Sequence, residues 1–131
     1  MDKKTLTTHG VFSWCELLTT DVTAARRFYG ELLGWTLSDM DDSSMPYTII
    51  KNGENDIGGM MEITDEMPNM KPMWGPYVTV DDVDKRVDVA KKLGAKVLVE
   101  AQDVPNVGRF AMIMDPQGAP VSLITYAENL T

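Results

Sequence analysis

The chain has 131 residues, of which 44% are hydrophobic and 24% charged, with a formal charge of −8. A chain of this length buries roughly two-thirds of its unfolded surface, so it can hold a core without cross-links. The composition excludes a disordered protein. The single cysteine, Cys15, excludes an intrachain disulfide and a multi-cysteine zinc site. Twelve basic against 20 acidic side chains, with no basic cluster, argue against nucleic acid and membrane as partners. No apolar run approaches the roughly 20 residues of a membrane span, and none follows Lys3-Lys4 as a secretory leader would. The expected compartment is the cytoplasm.

The first strand-like run is Val11 to Leu18. Asp21 then sits where a helix N-cap is needed, its carboxylate able to accept from an otherwise unpaired amide. Ala25, Phe28, Tyr29, Leu32 and Leu33 recur at helical spacing as one apolar stripe, and Gly34 supplies a left-handed stop. Three strand candidates follow: Trp35 to Asp39, Tyr47 to Lys51 and Ile57 to Ile63. Asn52-Gly53 marks a tight turn between the last two. Thr64 to Gly75, with Pro68 and Pro72, reads as a connection.

The pattern then repeats. Tyr77 to Val80 is strand-like, Asp81 or Asp82 caps a second helix, and Val83, Val87, Ala90 and Leu93 form its stripe. Leu93-Gly94 lies 60 positions after Leu33-Gly34. Asp81 is 60 positions after Asp21 and Asp82 is 61, so the register ahead of the helix stays open by one residue. Lys96 to Glu100, Arg109 to Met114 and Pro120 to Tyr126 complete the second half. Asp115-Pro116-Gln117-Gly118 joins the last two, Pro fixing one dihedral and Gly freeing another. The expectation is an α+β chain of two βαβββ modules, residues 10–63 and 76–128, joined by a linker over 64–75. A half of this size cannot stand alone.

The Asp21 to Trp35 segment, with its Phe28-Tyr29 to Leu33-Gly34 spacing, and the Asp115 to Gly118 turn resemble the vicinal oxygen chelate superfamily. That group holds glyoxalase I, bleomycin resistance proteins, fosfomycin resistance enzymes and extradiol dioxygenases. The resemblance covers about Gly10 to Glu128. It implies a curled mixed sheet forming a cup, a ligand inside it, a homodimer, and a divalent metal held by inward His, Gln or Glu. The corresponding positions here are Trp14, Gly75 or Trp74, Ser122, and one of Met60 to Glu62. These offer at most one carboxylate, Glu62, where such metals want three or four protein ligands. The only histidine, His9, precedes the first strand and is expected to be solvated. The residues therefore argue for no cofactor.

With Trp14 turned inward, alternation puts Phe12, Glu16 and Leu18 on its face. Tyr77 and Thr79, and Pro120, Ser122, Ile124 and Tyr126, join the candidate lining. Trp14, Glu16, Tyr77, Thr79, Ser122 and Tyr126 are the expected ligand-binding residues. Glu16 and Glu62 are the candidates for acid–base work. Packing alone explains Trp14, Leu18 and Ile124 equally well, whereas a carboxylate on an apolar strand needs a reason. Cys15, on the opposite face, is expected beneath a helix as a small hydrophobe. Arg109 is expected to face water, with pairing to an inward carboxylate as the alternative. Met60, Met61, Met67, Met70 and Met73 gather on the fourth strand and the connection, and Met112 and Met114 on the seventh strand. The connection's set reads as filler beneath it, with a pocket mouth or dimer contact as the alternative.

Two functions fit. One is metal-independent binding of a small organic molecule, as in bleomycin-resistance-like members, with a cationic or aromatic ligand favoured by the charge and the aromatic lining. The other is a glyoxalase-like lyase or isomerase, or a dioxygenase. It would use a divalent metal, or metal-free acid–base chemistry by Glu16 or Glu62 with Tyr77 or Tyr126.

Overall fold

The computed structural model describes residues 3–40, 46–65, 69–105 and 107–127. Among them are three helices, α1 (Lys3–Leu6), α2 (Val22–Leu33) and α3 (Val83–Lys92). The strands are β1 (Phe12–Thr19), β2 (Thr36–Asp39), β3 (Thr48–Asn52), β4 (Asn55–Glu62), β5 (Met73–Thr79), β6 (Lys96–Val104), β7 (Gly108–Met114) and β8 (Pro120–Tyr126). The chain divides into two compact units. One runs from Trp14 to Gly75; the other joins the residues up to Ser13 with those from Pro76 onward.

The Trp14–Gly75 unit has strand order β2-β3-β4-β1, with β1 parallel to β4 and the other pairs antiparallel. Asp21 caps α2, its carboxylate accepting from the Ala24 amide at 3.0 Å. Gly34 ends α2 at φ 74°, and its amide donates to the Gly30 carbonyl. Leu17, Ile50 and Met60 form the core, and Val22, Ala25, Tyr29, Trp35, Leu37 and Trp74 pack against it. Arg26 ties α2 to β2 by donating to the Asp39 carboxylate and the Leu37 carbonyl, both at 2.8 Å.

Here the stripe on α2 departs from expectation. Ala25 and Tyr29 reach the core, but Phe28 is 58% exposed and Leu32 61%, with Leu33 also exposed. Phe28 lies off the seam that Val22, Ala25 and Tyr29 form and Leu32 at its edge, while Leu33 follows Tyr29 by one turn, in line with the seam, but is the last residue of the helix and stays exposed there. The hairpin at Asn52-Gly53 forms as the turn signal requires: Asn52 pairs with Asn55, and Gly53 takes φ 64°.

The second unit has the equivalent order β5-β8-β7-β6, with β5 parallel to β8 and the remaining pairs antiparallel. Asp82, not Asp81, caps α3, accepting from the Lys85 amide at 3.2 Å. Val83 and Val87 are buried with Val80 and Ala111, and Val97, Ala101 and Leu123 pack against them. Leu93, expected in the stripe, is exposed beside the left-handed Gly94. Asp115 closes the β7–β8 turn, its carboxylate accepting from the amides of Gln117 and Ala119, both at 2.9 Å.

Asp81 is freed for another task. Its carboxylate receives two bonds from Arg86, at 2.8 and 2.9 Å, which hold it well below the usual carboxylate range. His9 is exposed yet engaged, its Nδ1 accepting from the Asp81 amide at 3.0 Å. Arg109 does not simply face water: it donates to Asp84 at 2.8 and 3.0 Å and to Asp103 at 3.1 Å. The early residues belong to this unit through their bonds. Gly10 donates to the Thr79 carbonyl, the Thr79 amide to Val11, and the Thr79 hydroxyl to Leu6. The connection is also shorter than the sequence suggests, since β5 begins at Met73. Met67 and Pro68 lie outside the described residues, as does the end of the range expected to close at residue 128.

Candidate functional site

In the Trp14–Gly75 unit, alternation along β1 separates two environments. Leu17 faces α2 with the core. Trp14, Glu16 and Leu18 take the opposite face. On that face the structure builds a hydrogen-bond chain. The Trp14 indole N–H donates to the Tyr47 hydroxyl at 3.0 Å. The Tyr47 hydroxyl in turn donates to Glu16 Oε2 at 3.1 Å. Glu16 is only 8% exposed. A carboxylate this buried is tolerable where donors meet it, and Tyr47 is one.

Tyr47 reaches Glu16 because of Gly59. Glu16 and Ile49 are both register partners of Gly59, on its two sides. A Cβ at Gly59 would overlap the Tyr47 phenol, so only glycine leaves a bed for the ring. Tyr47 is not among the site residues expected from the sequence, because the turn signal at Gly53 does not announce the shift in register that brings it to Glu16. A bulge between Ile50 and Lys51 shifts the β3–β4 register set at the Asn52–Asn55 turn by one residue, and the shifted register puts Tyr47 on the Glu16 face of β4.

The other expected residues divide as follows. Glu62 is exposed at the end of β4, paired with Thr19. It shares the face of Met60, opposite to Glu16, so the two candidate carboxylates do not meet. In the second unit Tyr77 and Thr79 pair with Ser122 and Ile124, and Ser122 with Met112. Tyr77, Thr79 and Ser122 are buried, and the Tyr77 ring lies 6.1 Å from that of Phe110. The Thr79 hydroxyl is committed to the Leu6 carbonyl. The Tyr126 hydroxyl donates to Ser13 Oγ at 2.8 Å, and burial pushes its pKa up.

Cys15 lies opposite Trp14 as alternation requires, but it is exposed and not packed beneath the helix. It borders a cleft of about 260 Å³ with Trp35, Ile50, Ile57, Gly58 and Trp74. Partial burial and the neighbouring Glu16 push its thiol pKa up, which disfavours the nucleophilic thiolate. The cleft walls are fixed by aromatic contacts. Tyr29 stacks on Trp35 at 5.9 Å, and Trp74 meets both edge-on while donating to the Tyr29 hydroxyl at 3.2 Å.

The family's metal does not fit the donors present. With Asp82 as the helix cap, the positions become Trp14, Gly75, Ser122 and, on the Trp14 face of β4, Met61. An indole N–H, a glycine, a neutral hydroxyl and a thioether make no site for a hard or borderline divalent ion. Among the described residues no three His, Cys, Asp or Glu side chains group together.

Comparison with known proteins agrees with this architecture. The profile of the Glyoxalase/Bleomycin resistance protein/Dioxygenase superfamily matches residues 11–123, and the chain belongs to that superfamily. It is 39% identical over 116 residues to "Putative glyoxylase CFP32" of Mycobacterium tuberculosis, covering 88% of this chain and 44% of that protein. The chain thus spans less than half the length of that relative. Methylmalonyl-CoA epimerase from Mycobacterium tuberculosis shares the fold with a TM-score of 0.62 at 17% identity, covering 94% of each chain. A variant of homoprotocatechuate 2,3-dioxygenase from B. fuscum does so with a TM-score of 0.60 at 21% identity, covering 91% of this chain and 34% of that one.

Proposed function

We propose that this chain binds a small organic molecule without a metal, on the sheet face that carries Trp14, Tyr47 and Glu16. The observation that carries the reading is the chain of bonds from Trp14 through Tyr47 to the buried Glu16 carboxylate. It is a pre-set polar group in an aromatic setting, as small-molecule sites require. The indole stands where the family's first metal ligand would be. Tyr77, Thr79, Ser122 and Tyr126 have the matching role on the face of the second unit. A charge of −8 favours neutral or cationic ligands over anions. The protein acts as a cytoplasmic homodimer in this reading. No helix among the described residues is long and apolar enough to cross a membrane.

Elemental analysis together with ligand binding after chelation tests the proposal. The expected result is no stoichiometric Ni, Zn, Mn or Fe and unchanged binding. A metal held by three protein ligands contradicts it. Quenching by ligand that persists when Trp35 and Trp74 are replaced by Phe, leaving Trp14 as the only tryptophan, supports it. The relative named a glyoxylase favours a second reading, a lyase or isomerase in which Glu16 takes a proton. That reading requires turnover abolished by Glu16→Gln.

A further inference from the structure

The Trp14–Tyr47–Glu16 chain also says what the site would recognise. One oxygen, that of Tyr47, satisfies two groups at once: it accepts from the Trp14 indole at 3.0 Å and donates to Glu16 at 3.1 Å. A hydroxyl can do both; an ether, a carbonyl or a carboxylate can only accept, and an ammonium can only donate. The ring attached to that oxygen has its own bed, because Gly59 leaves the space a Cβ would fill. A donor, an acceptor and a ring-sized floor are therefore set around a phenol. We propose that Trp14 and Glu16 recognise the hydroxyl of a planar phenolic ligand, and that Tyr47 holds this position as a resident stand-in which the ligand displaces. The inference rests on the reading that this face binds small molecules.

Two consequences follow from the chemistry. Removing the Tyr47 side chain vacates the position, so an added phenol gains affinity by no longer competing with it. Methylating the ligand's oxygen removes the only proton it can give Glu16, and a site built for a hydroxyl rejects such an analogue.

The test follows the Trp14 indole N–H by NMR in the Tyr47→Ala protein while phenol, anisole or toluene is titrated. Phenol should shift that signal saturably and bind at least tenfold more tightly than anisole or toluene. It should also bind the variant at least tenfold more tightly than the wild type. Should Tyr47→Ala not fold, Tyr47→Leu keeps apolar bulk there, and the wild type itself should still rank phenol ahead of anisole. Equal binding of phenol and anisole overturns the proposal, as does phenol binding that leaves the Trp14 signal unmoved. A wild type whose Trp14 signal shifts saturably with fragments lacking a hydroxyl, and not with phenol, overturns hydroxyl recognition while keeping the binding site. A signal moved by no fragment, in wild type or variant, overturns the binding reading together with this inference.

Discussion

The two units share strand order and an Asp-capped helix, yet they bury different chemistry. In the unit from Trp14 to Gly75, polar groups are joined across strands on an aromatic sheet face, and α2 leaves Phe28, Leu32 and Leu33 exposed. In the other unit α3 buries Val83 and Val87, and its ion pairs, Arg86 with Asp81 and Arg109 with Asp84 and Asp103, lie at the surface. Duplication fixes a scaffold, while the residues that alternate away from the helix set what each half can do.

Five predictions sharpen that contrast. The largest effect is expected at Gly58, where β1 and β4 come so close that a Cβ would overlap the Cys15 carbonyl. Backbone cannot yield as a side-chain tip can, so Gly58→Ala should cost about 3 kcal/mol or more in urea unfolding. A loss under about 1 kcal/mol would show the strand approach to be relaxed.

Next come the helices. Val83→Ala empties a buried site and should cost about 2 kcal/mol, whereas Leu32→Ala on the exposed face of α2 should change stability by less than about 0.5 kcal/mol. Equal losses would mean that Leu32 is covered in solution.

Tyr47→Phe keeps the ring but leaves the Trp14 N–H without that acceptor. It should cost about 1 to 2 kcal/mol, with the indole signal moved in the NMR spectrum. Its counterpart is a matter of pH. Burial raises the Tyr126 pKa, so the folded state holds the phenolic proton more tightly than the unfolded one. That contribution is full below the ordinary tyrosine value of 10.0 and is lost as pH rises from there through the raised value. Thermal melts from pH 8 upward should show the wild type losing ground to Tyr126→Phe only above about pH 10. A gap that is constant with pH would sink the assignment.

The smallest effect is a gain. A Cβ at Gly30 in α2 meets only ordinary contacts with the Trp35 carbonyl and Leu37, so Gly30→Ala should stabilise by about 0.5 to 1 kcal/mol. The contrast with Gly58 separates a glycine required by close approach from one that is not.

Local signals were the legible part of this fold. Asp21, Gly34, Gly53 and Asp115 each act through atoms within a few residues, and each does in space what its sequence implies. Alternation also placed Trp14 and Glu16 on one face and Cys15 on the other. What depends on partners distant in sequence was not legible. Helical spacing alone cannot say where the buried seam of α2 ends, so in the sequence Phe28, Leu32 and Leu33 look covered. In the sequence Tyr47 is only part of a strand, because its value comes from Gly59 and Glu16, which lie 12 and 31 residues away. Glu62 looked equivalent to Glu16 until the β1–β4 register put it with Met60 on the opposite face.

The central claim is that the Trp14–Tyr47–Glu16 face binds its ligand without a metal. It is tested most directly by calorimetric titration of one ligand that shifts the Trp14 indole signal, before and after exhaustive chelation. The account predicts the same affinity and stoichiometry in both titrations. A tenfold or greater loss on chelation, restored by one equivalent of a divalent ion, would contradict it.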